Sequence, residues 1–420
     1  MRTATERLLI CDLTQSYAPH GGGGIGIYLR QKREHILEQT GHRLLQIVPG
    51  PEDRVVERGR HIWVEIGADH VRGSPNYRFI LRTSAVRKVL EQYRPDVIES
   101  QCPWILPWTA IGHRRAFPET ALVAGYHTDF PNTHVYRVGS QLFGDFVGRG
   151  LRQLVAGYAH ITYREFDRVY ALDQAMVDVL EGYRLTHVDV LSLGVDGQTF
   201  HPARRDPGLR RELGLPETGP LLIYAGRIDN EKRADRLITM FRELPASLGA
   251  SLVMLGDGKL RETLMEAAQG LPVAFPGYVG DRAEIARMLA SADIYVSCMA
   301  DETFGLSVLE AQASGLPVVG FASGAMVQRV PPALGKLVTL DDTAAMAQAV
   351  VDVWQGDRAG MGQRAREHVT TQFSWKQTFE TLLGEVYPRA LARSAARMAA
   401  LSGVRWRGDD RTCAARQYRT

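Results

Sequence analysis

Short apolar runs that read as strands alternate with helical segments along nearly the whole chain, and the alternation stops once and then restarts. Such a pattern fits few folds other than α/β layers built on parallel sheets. The first cycle has a strand at 8–12, a helix at 27–40 stopped by Gly41, and a strand at 44–48 closed by Pro49 and Gly50. A helix at 84–93 follows, then a turn and strand at 94–99 and strands at 122–127, 169–172 and 188–191. The segment 194–207, rich in Gly, Pro and charge, breaks the pattern as a linker does. The second cycle places strands at 221–225, 250–255, 273–275 and 292–298, with helices at 234–244, 262–268 and 283–291 between them. A further helix at 343–354 and a last long helix from Phe373 complete it. A chain of 420 residues exceeds one ordinary core, and two domains of about 200 residues each fit it.

Composition excludes several classes. A net charge of only +3 gives no general attraction to nucleic acid, and 45% apolar with 23% charged residues describes a globular protein. The four cysteines, Cys11, Cys102, Cys298 and Cys413, lack metal-ligand spacing, and free buried thiols suit a reducing, cytoplasmic setting. Asp341-Asp342 and Asp409-Asp410 stand in charged loop or tail contexts, so no metal site is expected. The N-terminus lacks the apolar core of a signal peptide, and no window approaches the roughly 18 apolar residues of a membrane span.

The segment 301–311 carries the most chemistry. Asp301, Glu302, Thr303, Phe304 and Gly305 lead into an apolar helix that begins near Leu306 and Ser307 and contains Glu310. A strand precedes this block and another follows it through Gly315-Leu316-Pro317-Val318-Val319. A helix N-terminus at the carboxyl end of a parallel strand favours phosphate through its free N–H groups and dipole. Carboxylates accept hydrogen bonds from hydroxyls, and Glu302 and Glu310 bracket that position with a rise of roughly 8 Å between residues 305 and 310. A sugar, a diphosphate and a ribose in that order are a nucleotide sugar. Gly226, Arg227 and Lys232 follow a strand end, where a guanidinium fork and a point charge can both reach an anion. Gly256 and Gly258 form a turn after the next strand, and Tyr278 and Val279 follow a third. His127 lies at the carboxyl end of a strand in the first half, the usual place for a site in an open α/β sheet. Gly21 to Gly26 contain a formal G-x-G-x-x-G. They stand eight or more residues beyond the strand, and the second strand ends without a ribose-binding acid, so the dinucleotide fingerprint is weakly matched.

Over residues 8 to 390 the chain resembles the retaining glycosyltransferases called GT4, or glycosyl transferases group 1, which have the GT-B fold. The resemblance rests on the Glu302/Glu310 pair around Phe304-Gly305-Leu306, on the Gly226-Arg227…Lys232 element and on the Gly194-Val195-Asp196…Phe200…Pro202 segment. It implies two Rossmann-like α/β/α domains facing a cleft. These are 1–200 for the acceptor and 201–375 for the donor, with a helix at 376–392 crossing back and a basic tail at 393–420. It implies donor-sugar contact by Glu302 and His127, ribose contact by Glu310, and diphosphate contact by Arg227 and Lys232. Gly256 and Gly258 would line the donor site, while Gly23 and Gly24 would belong to a flexible loop facing the diphosphate. The 275–279 segment, with Tyr278 and Val279, would read the base, and Phe304, Gly305, Leu306 and Ser307 would form the phosphate-facing turn.

The expected reaction moves a hexose from GDP-mannose or a UDP-hexose to a hydroxyl of a glycan or lipid-linked acceptor. It would proceed with retention, without metal or cofactor. The arginines of the tail, Arg393, Arg397, Arg405, Arg407, Arg411, Arg416 and Arg419, would suit peripheral contact with the inner, anionic face of a membrane. Two other classes stay open: a nucleotide-sugar epimerase on the same fold, and a nicotinamide-dependent oxidoreductase resting on Gly21 to Gly26.

Overall fold

The computed structural model describes residues 7–15, 17, 23–71, 74–136, 140, 143–300 and 302–413. Gly21, Gly22, Asp301, Arg416 and Arg419 lie outside the described residues. The chain divides into two compact units, one of Met1–Ser192 with Thr378–Thr420 and one of Leu193–Gln377.

The first unit is built on strands β1 (Leu9–Leu13), β2 (Arg43–Gly50), β3 (Arg54–Arg58) and β4 (His61–Gly67), a small β5/β6 hairpin (His70–Val71, Ser74–Arg78), and β7 (Val97–Ser100), β8 (Ala121–Tyr126), β9 (Arg168–Ala171) and β10 (Val188–Val190). Eight of them form one sheet in the order β10-β9-β8-β7-β1-β2-β4-β3. All neighbours are parallel except β3, which pairs antiparallel with β4 at the edge. The central strands are buried along their length, as sheets covered on both faces must be. The β3/β4 hairpin is absent from the expected pattern. In β4 only Ile62, Val64 and Ile66 are buried, so its signal is alternation, not a continuous apolar run.

Gly23 and Gly24, expected in a flexible loop, form the first turn of a helix, Gly23–Gln39. Glycine is a poor helix former. Packing outweighs that cost, because Tyr28, Leu29, Lys32 and Ile36 form a buried face. Gly23 itself has φ +58°, which suits the turn into the helix.

The most constrained feature of this unit is a fully buried lysine. Lys32 Nζ donates to Asp12 on β1 and, at 2.9 Å, to Glu99 on β7, and all three side chains are inaccessible to solvent. Glu99 also accepts hydrogen bonds from Tyr28 (2.7 Å), Tyr170 (2.9 Å) and Tyr387. Asp12 accepts one from Gln46 at 3.0 Å. Burial pushes the Asp12 carboxyl up, more than Lys32 and Gln46 pull it down. Burial also works against Glu99, but Lys32 and the phenol donors outweigh it and hold that carboxyl below its usual range.

The second unit carries β11 (Leu221–Ala225), β12 (Ser251–Leu255), β13 (Val273–Gly277), β14 (Ile294–Ser297), β15 (Val318–Phe321) and β16 (Gly335–Val338) in a six-stranded parallel sheet of order β13-β12-β11-β14-β15-β16. The order reverses direction beside β11 and β14, so their carboxyl-end loops flank the switch point where such sheets bind ligands.

Replacing Lys32 with methionine leaves two carboxylates in the first unit's core without their cation. We expect Lys32→Met to cost about 3–5 kcal/mol, read as an earlier transition in urea unfolding. A midpoint equal to that of the parent chain would show that the lysine does not hold this core.

Candidate active site

In the second unit the loops after β11 and β12 touch backbone to backbone. Gly226 N–H donates to Leu255 O at 3.0 Å, and Ile228 N–H to Asp257 O at 2.9 Å. A Cβ on Gly256 would collide with Gly226 O, and one on Gly258 with Ile228 O. A Cβ on Gly226 would lie 2.7 Å from the Tyr224 hydroxyl. These glycines therefore permit a close approach that any side chain would prevent.

The loop after β14 brings the next group together. Gly305, at φ +83°, turns the chain into helix Leu306–Ala313. Glu302 Oε1 accepts the Gly305 N–H at 3.2 Å, and Glu302 O accepts the Ala325 N–H at 2.8 Å, so the carboxylate is fixed against the helix entrance. Lys232 reaches the same point from the β11 loop. Its Nζ lies 3.4 Å from Glu302 Oε2 and 2.7 Å from Met299 Sδ, with 21% of the lysine side chain and 11% of the glutamate exposed. Two residues 70 apart in sequence thus meet where the N–H groups of Leu306 and Ser307 have no partner within their own helix. Tyr295, on β14, ties this corner together. Its hydroxyl lies 3.0 Å from Ser307 Oγ and 3.2 Å from Ala225 O.

Arg227, from the same loop as Lys232, is half exposed and forms ion pairs with Asp229 and, at 2.7 Å, with Glu231. Asp229 also accepts the Lys232 N–H at 2.9 Å. Glu310 lies deeper, 6% exposed, and meets Arg282 Nη2 at 2.8 Å. Burial raises its carboxyl, and Arg282 opposes that rise. The Arg282 guanidinium stacks on Phe200 at 4.6 Å. Phe304 is buried, its ring 4.3 Å from the Arg329 guanidinium, which also covers Phe373. At the end of β13 Tyr278 is exposed and Val279 half-buried.

The first unit places His127 just beyond β8 in a cavity of about 190 Å³ that Ile25, Gln101, Trp104 and Phe130 also line. Ile25 belongs to the first turn of helix Gly23–Gln39, which Gly23 and Gly24 begin. Burial lowers the His127 pKa to about 4, with Glu99 pulling weakly the other way, so the ring is neutral near pH 7. Asp129 accepts from Tyr183 at 3.0 Å, Tyr126 at 3.2 Å and Asn132, which holds the following turn. Trp104 also borders a more open apolar groove of about 410 Å³, formed with Ile105, Trp108, Val155 and Tyr158.

Sequence reasoning missed Tyr295, Arg282, Gln101 and Glu99. Tyr295 and Glu99 lie within buried strands, where each reads as core or as an isolated polar residue. Arg282 sits in a surface-like helix start after Asp281. None carries a local signal, because each gains its meaning from a partner distant in sequence. Among the described residues, no group of three or more His, Cys, Asp or Glu side chains could hold a metal ion, and no helix is long and apolar enough to cross a membrane.

Residues 22–198 match the model of Glycosyltransferase Family 4, and residues 219–356 that of Glycosyl transferases group 1. A GDP-mannose-dependent alpha-(1-6)-phosphatidylinositol dimannoside mannosyltransferase of Mycobacterium tuberculosis is 30% identical over 399 residues, 91% of this chain and 97% of the relative. A GDP-mannose-dependent alpha-mannosyltransferase of Mycolicibacterium smegmatis is 28% identical over 93% of this chain and 100% of the relative. Among solved structures, sucrose-phosphate synthase from Thermosynechococcus elongatus superposes with a TM-score of 0.73 at 20% identity, covering 92% of this chain and 100% of that one. WaaG, a glycosyltransferase involved in lipopolysaccharide biosynthesis, gives 0.67 at 16% identity over 90% and 100%. Two Rossmann-like α/β/α domains of this kind are the GT-B fold, and the enzyme class is a glycosyltransferase that draws on a nucleotide sugar. The chain belongs to glycosyltransferase family 4. The epimerase and oxidoreductase alternatives find no support among these relatives.

The left-handed turn at Gly305 yields a test of the helix entrance. Gly305→Ala should lower the stability of this unit by about 1–2 kcal/mol, while Gly305→Asn, a residue that tolerates this conformation, should lose less. Equal losses in denaturant melts of the two variants would show that φ is not what restricts this position.

Proposed function

We propose that this enzyme transfers mannose from GDP-mannose to a hydroxyl of a lipid-linked acceptor, with retention of the α configuration and without a metal. The observation that carries the reading is the meeting of Lys232 and Glu302 at the first turn of helix Leu306–Ala313. A cation and free N–H groups favour the diphosphate there, and a carboxylate beside them accepts sugar hydroxyls. The donor follows the GDP-mannose dependence that two relatives carry in their names.

In the reaction the bond from the sugar C1 to the β-phosphate oxygen breaks, and its electron pair leaves with GDP. The acceptor oxygen bonds to C1, and its proton passes to the departing phosphate. Lys232, Arg227 and the N–H groups near Leu306 and Ser307 stabilise the charge that develops on the leaving group, the kind of preorganised electrostatics that usually supplies the largest catalytic effect. Glu302 holds sugar hydroxyls and Glu310 the ribose. Gly226, Gly256 and Gly258 let the backbone approach the donor, Phe304 and Gly305 shape the turn, and Tyr278 and Val279 flank the base. In the first unit, His127 and the glycines Gly23 and Gly24 at a helix N-terminus are the candidates for substrate contact.

The lipid side of the acceptor is supported by the first unit's surface. Trp104 and Trp108 border the apolar groove, and helix Asp145–Tyr163 exposes Phe146 (86%) and Leu154 (72%). Contact with the inner, cytoplasmic face of a membrane would let such an acceptor present its head group.

Arg227→Ala and Lys232→Ala should each reduce GDP-mannose turnover about 10²-fold or more, by analogy with loss of a donor to a developing anion. Activity should survive excess EDTA. Near-normal rates in both variants, or loss on chelation restored by Mg²⁺, would overturn the leaving-group chemistry. Calorimetric titration separates the two glutamates. Glu310→Ala should weaken GDP itself, whereas Glu302→Ala should weaken GDP-mannose more than GDP. A UDP-hexose turned over faster than GDP-mannose would reject the donor.

A further inference from the structure

His127 is attached to the buried Lys32 cluster by a chain of hydrogen bonds whose direction is fixed at its far end. Glu99 lies between Lys32 Nζ at 2.9 Å and the hydroxyls of Tyr28, Tyr170 and Tyr387, so it is an ionised acceptor surrounded by donors. An ionised carboxylate can only accept. The Gln101 side chain therefore turns its NH₂ towards Glu99 Oε1 and its carbonyl oxygen away. That oxygen meets His127 Nε2, with the Tyr170 hydroxyl 3.1 Å from it. Since Gln101 Oε1 has no proton to give, the His127 Nε2 must carry the proton.

The site is built to hold this arrangement. A Cβ on Gly125 would lie 2.5 Å from Gln101 Oε1, 2.6 Å from the Tyr170 hydroxyl and 2.7 Å from His127 Nε2, so three polar atoms converge where only glycine leaves room. Tyr170 packs edge-on to the imidazole at 5.8 Å, and Tyr28 lies tilted at 6.0 Å. Phe379 lies tilted against Tyr28 at 5.6 Å. The groups facing the ring from these elements are Glu99, Gln101, Tyr28 and Tyr170, with Lys32 behind Glu99.

We propose that Glu99 and Gln101 form a positioning relay that fixes His127 as the Nε2–H tautomer and leaves Nδ1 as its acceptor. The low basicity that burial gives the ring keeps Nδ1 unprotonated near neutrality. A neutral nitrogen lone pair repels phosphate and takes a hydrogen bond from a hydroxyl. The relay therefore selects a sugar or acceptor hydroxyl at this position. This rests on the reading of His127 as a substrate-contacting residue.

The test uses the full chain with ¹⁵N-labelled histidine, the His127 signals being assigned by loss in His127→Gln. Long-range ¹⁵N–¹H correlations should show a protonated Nε2 and a bare Nδ1, unchanged between pH 6 and 8. Gln101→Met removes the acceptor at similar volume, and Gly125→Ala crowds the node without altering any charge. Each should mix the tautomers and lower kcat about ten- to a hundredfold, the range seen when the outer partner of an oriented, metal-bound histidine is lost, with little change in KM for GDP-mannose. A proton on Nδ1 in the parent chain, or a tautomer unmoved in both variants, overturns the relay. Mixed tautomers with unchanged kcat would defeat its use in the reaction. Full activity in His127→Gln, with the tautomer as assigned, would instead defeat the reading of His127 and leave the relay standing.

Discussion

One lysine, wholly removed from water, organises the first unit. A buried cation is tolerable only when carboxylates lie close with good geometry and their remaining lone pairs are satisfied. Lys32 meets that condition with Asp12 on β1 and Glu99 on β7, and the satisfaction of Glu99 then recruits Tyr28, Tyr170 and Tyr387. Gln46 on β2 completes Asp12. The cluster thereby specifies the register of four strands, the first helix and helix Tyr387–Cys413 against one another. An apolar core would favour their contact without fixing which residue faces which. The unequal pull on the two carboxyls, Asp12 upward and Glu99 downward, makes Glu99 the lasting anion and gives the network a polarity that extends to Gln101 and His127.

The second unit solves a different problem by different means. Its loops must end close together above the sheet without side chains between them. Gly226, Gly256 and Gly258 meet this need, since each Cβ would strike a neighbouring backbone or hydroxyl oxygen. Beneath, Tyr295 joins β14 to both the end of β11 and the helix entrance, while the stack of Phe304, Arg329 and Phe373 packs beside the turn. The charged side chains then stand on a rigid base, as the proposed stabilisation of a short-lived charge would require.

Much of this was legible in the sequence, and the pattern of what was missed is physical. The parallel strands announced themselves as continuous apolar runs, and Glu302, Gly305 and Glu310 by their spacing around a helix start. Lys32 gave no sign, because a lysine in a helix ordinarily reads as solvent-facing, and its two carboxylates lie 20 and 67 residues away. The same holds for Gln101, whose relation to His127 exists only once β7 and β8 are neighbours. Gly23 and Gly24 misled in the opposite sense, since the resemblance implied a flexible loop where the buried face of Tyr28, Leu29, Lys32 and Ile36 imposes a helix. Local signals report propensity and period, while long-range polar pairing is silent until the fold exists.

The charges of the second unit also constrain how a donor enters. Arg227 is held by Asp229 and Glu231, Lys232 by Glu302, and Glu310 by Arg282. On the proposed reading, binding is an exchange of partners and not the filling of uncompensated positive charge. Glu231, 47% exposed on its side chain, can release Arg227 to a phosphate at little cost, because surface ion pairs contribute little. Glu302 and Glu310 cannot turn to water so easily, being 11% and 8% exposed on their side chains. Once Lys232 turns towards the diphosphate, Glu302 requires new hydrogen-bond donors at once, and the hydroxyls of a sugar supply them. On that reading a nucleotide lacking its sugar would draw Lys232 away and leave that carboxylate poorly satisfied, so breaking the Lys232–Glu302 pair would favour the intact nucleotide sugar over its product.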